Sequence, residues 1–280
     1  MIQANRLTTR YDPEGPPVLQ GVSLEIPEGQ YLAVIGPNGC GKTTLVKHFN
    51  ALLVPQEGEV LVDGLSTRDP KAHREIRRRV GMVFQNPDNQ IVGMSVEEDI
   101  AFGPGNLGLS SAEIRGRVGV ALEAVGILRL ARRAPHSLSG GEKRLVAIAG
   151  VLAMRPAYVV LDEPTSYLDP AGRERVLNVL RDLRQEGISI IHVTHSMDEI
   201  ADADRVVVMN GGGILRDGAP RDVFRDADAL RAVGLAAPQV TELMGRLRAQ
   251  GCGVRPDVLS VDEAFREIAA LLGRAAGGGR

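Results

Sequence analysis

The chain has 280 residues, 44% of them hydrophobic and 24% charged, with a formal net charge of −2 at pH 7. That composition describes a soluble globular protein with room for one large domain and a smaller one. With no basic excess, 3% aromatic residues and no Trp, it lacks both the electrostatic footprint and the stacking platforms of a nucleic-acid binder. Two cysteines, Cys40 and Cys252, cannot build a disulfide framework, so a reducing compartment is expected. The opening Met1–Arg6 has no signal-peptide pattern, and no apolar run approaches the ~18 residues that would span a bilayer. Any membrane part of its work must come from other chains.

Ile2–Thr8 and Val22–Ile26 alternate as strands on either side of a Pro/Gly-rich turn at Pro13–Pro17, with Tyr11 just before the turn. Gln30–Ile35 reads as a short buried strand, and Leu45–Leu53 begins an apolar helical pattern. Between them lies Gly36-Pro37-Asn38-Gly39-Cys40-Gly41-Lys42-Thr43-Thr44, which fits G-x-x-x-x-G-K-[ST], the phosphate-binding P-loop. A strand–glycine loop–helix unit aims backbone N–H groups at one spot, backed by the positive end of the helix dipole. Lys42 is placed to reach the β- and γ-phosphates and the Thr43 hydroxyl to hold Mg²⁺. Cys40 reads as a small residue with a spare backbone N–H rather than a redox switch. The loop binds a nucleotide.

Gly58–Val62 is a further strand, closed by an Asp63-Gly64 turn. Asp69–Arg79 reads as a polar helix whose arginines form a solvated face, and Val80–Phe84 as a strand ending at Gln85. The polar turn Asn86–Gln90 precedes helices over Ser95–Phe102 and Ser110–Val125, which the glycine-dense stretch Gly103–Gly108 separates. In Leu138-Ser139-Gly140-Gly141-Glu142, Ser139 and Glu142 form a capping box at the head of a helix over Glu142–Met154. Two glycines beside that cap also present N–H groups to an anion.

Ala157–Leu161 is a continuous apolar run of the kind buried in a parallel sheet, with Asp162 and Glu163 at its carboxyl end. Ser166–Asp169 leads into a helix with Asp169 as N-cap and Pro170 at its first position. Ile188–Val193 is another buried strand and ends at Thr194-His195; His192, two residues before Thr194 and on its face, reads as structural. Arg205–Met209 and Ile214–Arg216 read as a hairpin. Beyond about Gly218, amphipathic helices over Val240–Ala249 and Ser260–Leu272 flank the loop Gly251–Pro256, and Ala275–Arg280 is expected to be disordered.

A P-loop after one strand, Leu138–Glu142 upstream of Asp162-Glu163, and Thr194-His195 at the next strand end together resemble the ATP-binding cassette (ABC) ATPases, over about Tyr11 to His195. The resemblance implies an α/β P-loop NTPase core over residues 1–218, with a helical subdomain at about 86–155 and an N-terminal antiparallel β subdomain. Residues 219–280 would form a small α-rich appendage that serves dimerisation. It implies ATP and Mg²⁺ as cofactors and a dimer that sandwiches two nucleotides. Tyr11 would stack on adenine, and Gly36 to Thr44, Lys42 included, would hold the phosphates. Thr43, Gln85 and Asp162 would hold Mg²⁺, with Gln85 also touching the attacking water and reporting nucleotide state to a membrane partner. Glu163 would polarise that water, His195 would bond the γ-phosphate, and Asp169 would link the two sites. Ser139, Gly140 and Gly141 would reach the γ-phosphate held by the other subunit. Three positions depart from the family's usual residues: Glu142 for Gln, Tyr167 for a small residue, and Cys40 for Ser or Ala.

Within that family, Phe84–Val92, Ser95–Leu109, Pro238–Leu243 and Ser260–Ala264 resemble the ATPase subunits of energy-coupling factor transporters, the cobalt and nickel type among them. That implies an import motor on the cytoplasmic face of the cell membrane. It would dock through the Asn86–Asp99 region on a transmembrane scaffold, which also carries a substrate-binding membrane subunit. An ATPase of another ABC importer or exporter is the alternative. A non-transport ABC ATPase is further off, since no long coiled coil, second cassette or basic stripe is present. The transported substrate, and the choice between two copies and two related subunits, stay open at this level.

Overall fold

Strand and helix alternate in the computed structural model, which describes residues 1–225 and 227–277. The chain opens with β1 (Ile2–Thr9), β2 (Leu19–Ile26), β3 (Tyr31–Ile35), α1 (Lys42–Phe49), β4 (Glu57–Val62), β5 (Leu65–Ser66), α2 (His73–Arg79) and β6 (Val80–Val83). Three helices follow: α3 (Val96–Asn106), α4 (Ser111–Ala124) and α5 (Gly140–Leu152). Then come β7 (Tyr158–Asp162), α6 (Pro170–Gln185), β8 (Ser189–Val193), β9 (Arg205–Asn210) and β10 (Gly213–Gly218). The chain continues through α7 (Pro220–Phe224), α8 (Ala227–Ala232), α9 (Gln239–Ala249) and α10 (Val261–Gly277).

Two sheets result. An antiparallel sheet has the order β2-β1-β4-β5, with Ile2 opposite both Ile26 and Val62. A second sheet has the order β10-β9-β3-β8-β7-β6, parallel except for the β9–β10 hairpin. The continuous apolar runs of β3 and β7 follow from burial on both faces. Tyr31, Ala33 and Ile35 join Val159 and Leu161 in a core shared with α3 to α6. Leu32 and Val34 join Tyr158 and Val160 in a second core, shared with α1 and the antiparallel sheet. A smaller cluster of Met244, Val254, Val258 and Ala264 holds α9 to α10.

One expectation is corrected. The glycine-dense stretch does not separate helices at Gly103, because α3 continues through Gly103, Pro104 and Gly105 to Asn106. Gly103 lies so near α5's end that an added Cβ would sit 2.8 Å from Met154 Cγ. The glycine thus permits close packing rather than breaking the helix. The tail Ala275–Arg280, expected to be disordered, overlaps the end of α10 at Gly277, and residues 278–280 lie outside the described residues. Among the described residues no helix is long and apolar enough to cross a membrane.

The packing of α5 on β6 allows a direct test. A Cβ on Gly81 would lie 2.3 Å from Val151 Cγ1 and 3.3 Å from Pro156 Cγ. Val151 has a stiff β-branched side chain that cannot swing clear. Gly81→Ala is expected to destabilise the protein by about 1–3 kcal/mol, read as a lower urea midpoint at unchanged m-value.

Candidate functional site

The parallel strands β3, β8, β7 and β6 are neighbours, so their carboxyl ends form one edge. From that edge issue the Gly36 loop, Thr194-His195, Asp162-Glu163 and Phe84-Gln85. The expected strands thus deliver their polar termini to one place, where open α/β sheets bind ligands.

After β3 the chain turns with Gly36 at φ 157°, Gly39 at 78° and Gly41 at 102°. A Cβ on Gly36 would fall 2.4 Å from the Met209 carbonyl oxygen, and one on Gly41 2.8 Å from that of Val18. Glycine is therefore required here by both backbone angle and space. No side chain caps the start of α1, so its first-turn N–H groups are left to face an anion. Lys42 is buried, and its Nζ donates to the carbonyls of Gly36 (2.7 Å) and Pro37 (3.1 Å). Those partners are neutral, so the ammonium charge is not compensated by a direct carboxylate contact. Cys40 is buried too, and burial pushes its thiol pKa up, which keeps it inert.

Asp162 ends β7 with 2% exposure. Its Oδ2 accepts the Thr43 hydroxyl at 2.8 Å, while Oδ1 is buried and accepts no hydrogen bond. Burial raises its carboxyl pKa above the ordinary range, and the adjacent Glu163 adds to the rise. An orphaned carboxylate oxygen beside a hydroxyl fits a hard divalent cation. Among the described residues no cluster of three His, Cys, Asp or Glu could hold a metal alone, so phosphate or water must complete such a site.

Glu163 stands in the left-handed region at φ 51°, where its backbone N–H donates to the Val193 carbonyl at 2.9 Å. Its Oε2 faces His195 Nδ1 at 2.6 Å and accepts the Ser166 hydroxyl at 2.9 Å. Gly36, Pro37, Asn38, Gln85, Glu163 and His195 all border one cleft of about 960 Å³.

A P-loop, a metal-competent carboxylate and a paired Glu and His around one cleft describe a nucleotide hydrolase, and comparison with known proteins decides which kind. The family described as ABC transporter matches residues 19–166. The chain belongs to the ABC transporter family. It is 57% identical over 270 residues, 96% of either chain, to the cobalt import ATP-binding protein CbiO of Syntrophus aciditrophicus (strain SB). It is 55% identical over 257 residues to the energy-coupling factor transporter ATP-binding protein EcfA1 of Symbiobacterium thermophilum, covering 91% of this chain and 90% of that one. The solved structure of cbiO1 from Clostridium perfringens, part of the ABC transporter complex cbiONQ, superposes with a TM-score of 0.75 at 39% identity, covering 87% of this chain and 98% of that one.

This ABC ATPase holds Ser139, Gly140, Asp169 and Tyr11 outside the cleft, whereas Tyr167 borders it. Ser139 and Glu142 make the reciprocal capping box at α5, each accepting the other's backbone N–H. Glu142 thus serves the cap as Gln would. Ser139 and Gly140 are exposed, and Gly140 borders a neighbouring cleft of about 450 Å³ with Gln85 and Tyr167. Asp169 caps α6 by accepting the Gly172 N–H at 2.8 Å. Tyr11 is 63% exposed, with its hydroxyl 3.1 Å from Thr44 Oγ1 beside the P-loop helix. Tyr167 is 95% exposed at φ 64°. His192 is fully buried against the Tyr31 hydroxyl, and burial drops its pKa to about 3, so it is neutral and structural as expected.

Two features escaped the sequence reading. Arg144 on α5 is almost fully buried and donates to the carbonyls of Phe84 and Gln85, fixing the Gln85 segment to the helix headed by Ser139. The signal was a cation, Arg144, placed directly before the apolar run Leu145–Met154. The loop before α9 also reaches the cleft: Leu235 and Gln239 border it, and the Gln239 N–H donates to Asp198 at 3.2 Å.

The raised carboxyl of Asp162 sets the sign of a stability effect. Its ionised form costs more in the folded than in the unfolded chain, so the penalty is fully present above the folded pKa and fades as pH falls toward the unfolded value. Asp162→Asn is expected to raise the nucleotide-free Tm at pH 7–8 by a few degrees, with the gain vanishing near pH 4. The same variant should lose the further stabilisation that Mg²⁺ with ATP gives the wild type, checked by differential scanning fluorimetry.

Proposed function

We propose that this ABC ATPase is the motor subunit of an energy-coupling factor importer for a vitamin or a transition-metal ion such as cobalt or nickel. It sits on the cytoplasmic face of the cell membrane as one of a pair of ATPase subunits, docked on a transmembrane scaffold that carries a substrate-binding membrane subunit. The observation that carries the reading is the division of its site. The P-loop, Gln85, Glu163 and His195 share one cleft, whereas Ser139 and Gly140 stand exposed at the head of α5, outside it. A second subunit that brings its own Ser139–Gly141 segment closes the γ-phosphate side.

In this reading the Tyr11 ring packs on adenine, and the N–H groups of Gly36 to Thr44 surround the phosphates. Lys42 Nζ exchanges the carbonyls of Gly36 and Pro37 for phosphate oxygens, which supply the missing negative charge. Thr43, Asp162 and Gln85 hold Mg²⁺, which when bound neutralises charge on the phosphates. Glu163 takes the proton of the attacking water, His195 holds the γ-phosphate, and Asp169 lies between the paired sites. Positioning and charge neutralisation are what phosphoryl transfer requires.

Residues 1–218 act as the ATPase domain and 219–280 as an appendage that serves dimerisation, with Val261, Phe265 and Leu272 of α10 exposed. A groove of about 620 Å³ between α2–β6 and α3–α5 supports docking on the scaffold; Met82, Phe84, Val92, Asp99 and Phe102 border it. Phe84, the residue before Gln85, borders it, and through Gln85 nucleotide state would reach the membrane. The sequence similarity to a cobalt import ATP-binding protein over 96% of the chain supports the importer assignment.

Glu163→Gln should bind ATP with near wild-type affinity while turnover falls by about 10²-fold or more, measured by nucleotide binding and phosphate release. Wild-type turnover in that variant would remove Glu163 from the role. Specific activity should rise with protein concentration and then level off, as a site shared between two subunits demands; activity independent of dilution would contradict the pairing. Mass spectrometry of the complex purified from membranes should find a scaffold and a substrate-binding membrane protein, and a chain without either would not be an importer subunit.

A further inference from the structure

One buried carboxylate near the cleft has no part in the roles above. Glu199 ends the short turn Met197–Glu199 after β8, and its side chain is 1% exposed. Oε1 accepts the Thr165 hydroxyl at 2.7 Å and meets Arg173 Nε at 2.8 Å. Oε2 accepts the Thr194 hydroxyl at 3.0 Å. His192 Nε2 lies 3.5 Å from Oε2, but that ring is neutral, so Arg173 supplies the positive charge.

The partners are significant for where they sit. Thr165 lies two residues after Glu163, in the turn where Ser166 N–H donates to the Glu163 carbonyl at 3.2 Å and Leu168 N–H to that of Thr165 at 3.3 Å. Thr194 directly precedes His195, with its N–H on the Val34 carbonyl at 3.2 Å and its hydroxyl accepting the Ser196 N–H at 3.0 Å. Arg173 lies on α6, one turn past Asp169, and its guanidinium also reaches the Ser196 hydroxyl. A carboxylate can accept from two hydroxyls and pair with a guanidinium at once, which no neutral side chain of its size can do. Burying the charge is costly, and an apolar residue could fill the space as stably.

We propose that Glu199 is a positioning residue for ATP hydrolysis. By holding Thr165 and Thr194 on one carboxylate, it keeps the turn after β7 and the turn after β8 in register, so that Glu163 Oε2 and His195 Nδ1 meet at 2.6 Å. The inference rests on the reading that Glu163 and His195 act in the reaction. None of the described hydrogen bonds or ion pairs of Glu199 reaches the P-loop, so its loss separates turnover from nucleotide binding.

Steady-state hydrolysis by the full-length protein, at concentrations where specific activity has levelled off, tests this. Glu199→Gln should lower kcat about tenfold with KM for ATP within about twofold of wild type. Thr165→Val and Thr194→Val should each lower kcat about threefold, and adding Thr194→Val to Glu199→Gln should cost little more, because the shared contact is already gone. A residue that merely stabilised the fold would change Tm without this kcat-against-KM split. Wild-type kcat in Glu199→Gln, or a KM increase that accounts for the whole loss, overturns the proposal. If Glu199→Gln does not fold, wild-type kcat in both threonine variants overturns it instead. Glu163→Gln run in parallel separates the two levels. If that variant is inactive while the Glu199 and threonine variants are normal, only the Glu199 assignment falls; if it turns over normally, both fall.

Discussion

The hydrogen bond from Thr43 Oγ1 to Asp162 Oδ2, 2.8 Å long, joins segments 119 residues apart and seats the P-loop helix against the end of β7. Asp162 is tolerated as a buried acid because Thr43 donates to it and the ammonium groups of Lys42 and Lys47 offset part of its burial cost. Lys42 in turn spends its donors on its own loop's carbonyls. The site thus sets an ammonium whose direct partners are neutral carbonyls beside a carboxylate with one oxygen unpartnered, a pairing suited to a phosphate chain with a divalent ion.

The turn that follows Asp162 carries backbone strain. Glu163 and Tyr167 both occupy the left-handed region without being glycine, at about 1–3 kcal/mol each. The Glu163 N–H bond to Val193, the Ser166 hydroxyl and the Thr165–Glu199 contact hold the segment there. The strain aims Glu163 back at His195 and leaves Tyr167 projecting into solvent. Glu163 and an exposed aromatic side chain thus share one turn.

Arg144 and Asp198 extend the same logic outward. Arg144 ties the Gln85 backbone to the helix headed by Ser139. Asp198 receives the N–H at the start of α9, which ties the C-terminal helices to the turn that follows His195. Two contacts thus lead outward from the strand ends, one toward the groove that Phe84 borders and one toward the C-terminal segment.

Local chemistry made much of this protein readable from its residues alone. The strand–loop–helix of the P-loop, the capping boxes, Asp169 as N-cap and the doubly buried strands all depend on neighbours within a few positions, where propensity and periodicity act. The family was legible for the same reason, since its motifs are short and contiguous. Gly103 was misread because a glycine that ends a helix and one that lets two helices touch look alike until the second helix is placed. The pairing of Glu163 with His195 joins residues 32 apart, and Glu199 reaches back 34 residues to Thr165. Such contacts exist only once β7 and β8 lie side by side. Sequence by itself determined which groups could meet a phosphate; the order of strands in the parallel sheet decided which of them meet each other, because a buried strand can offer polar side chains only at its ends.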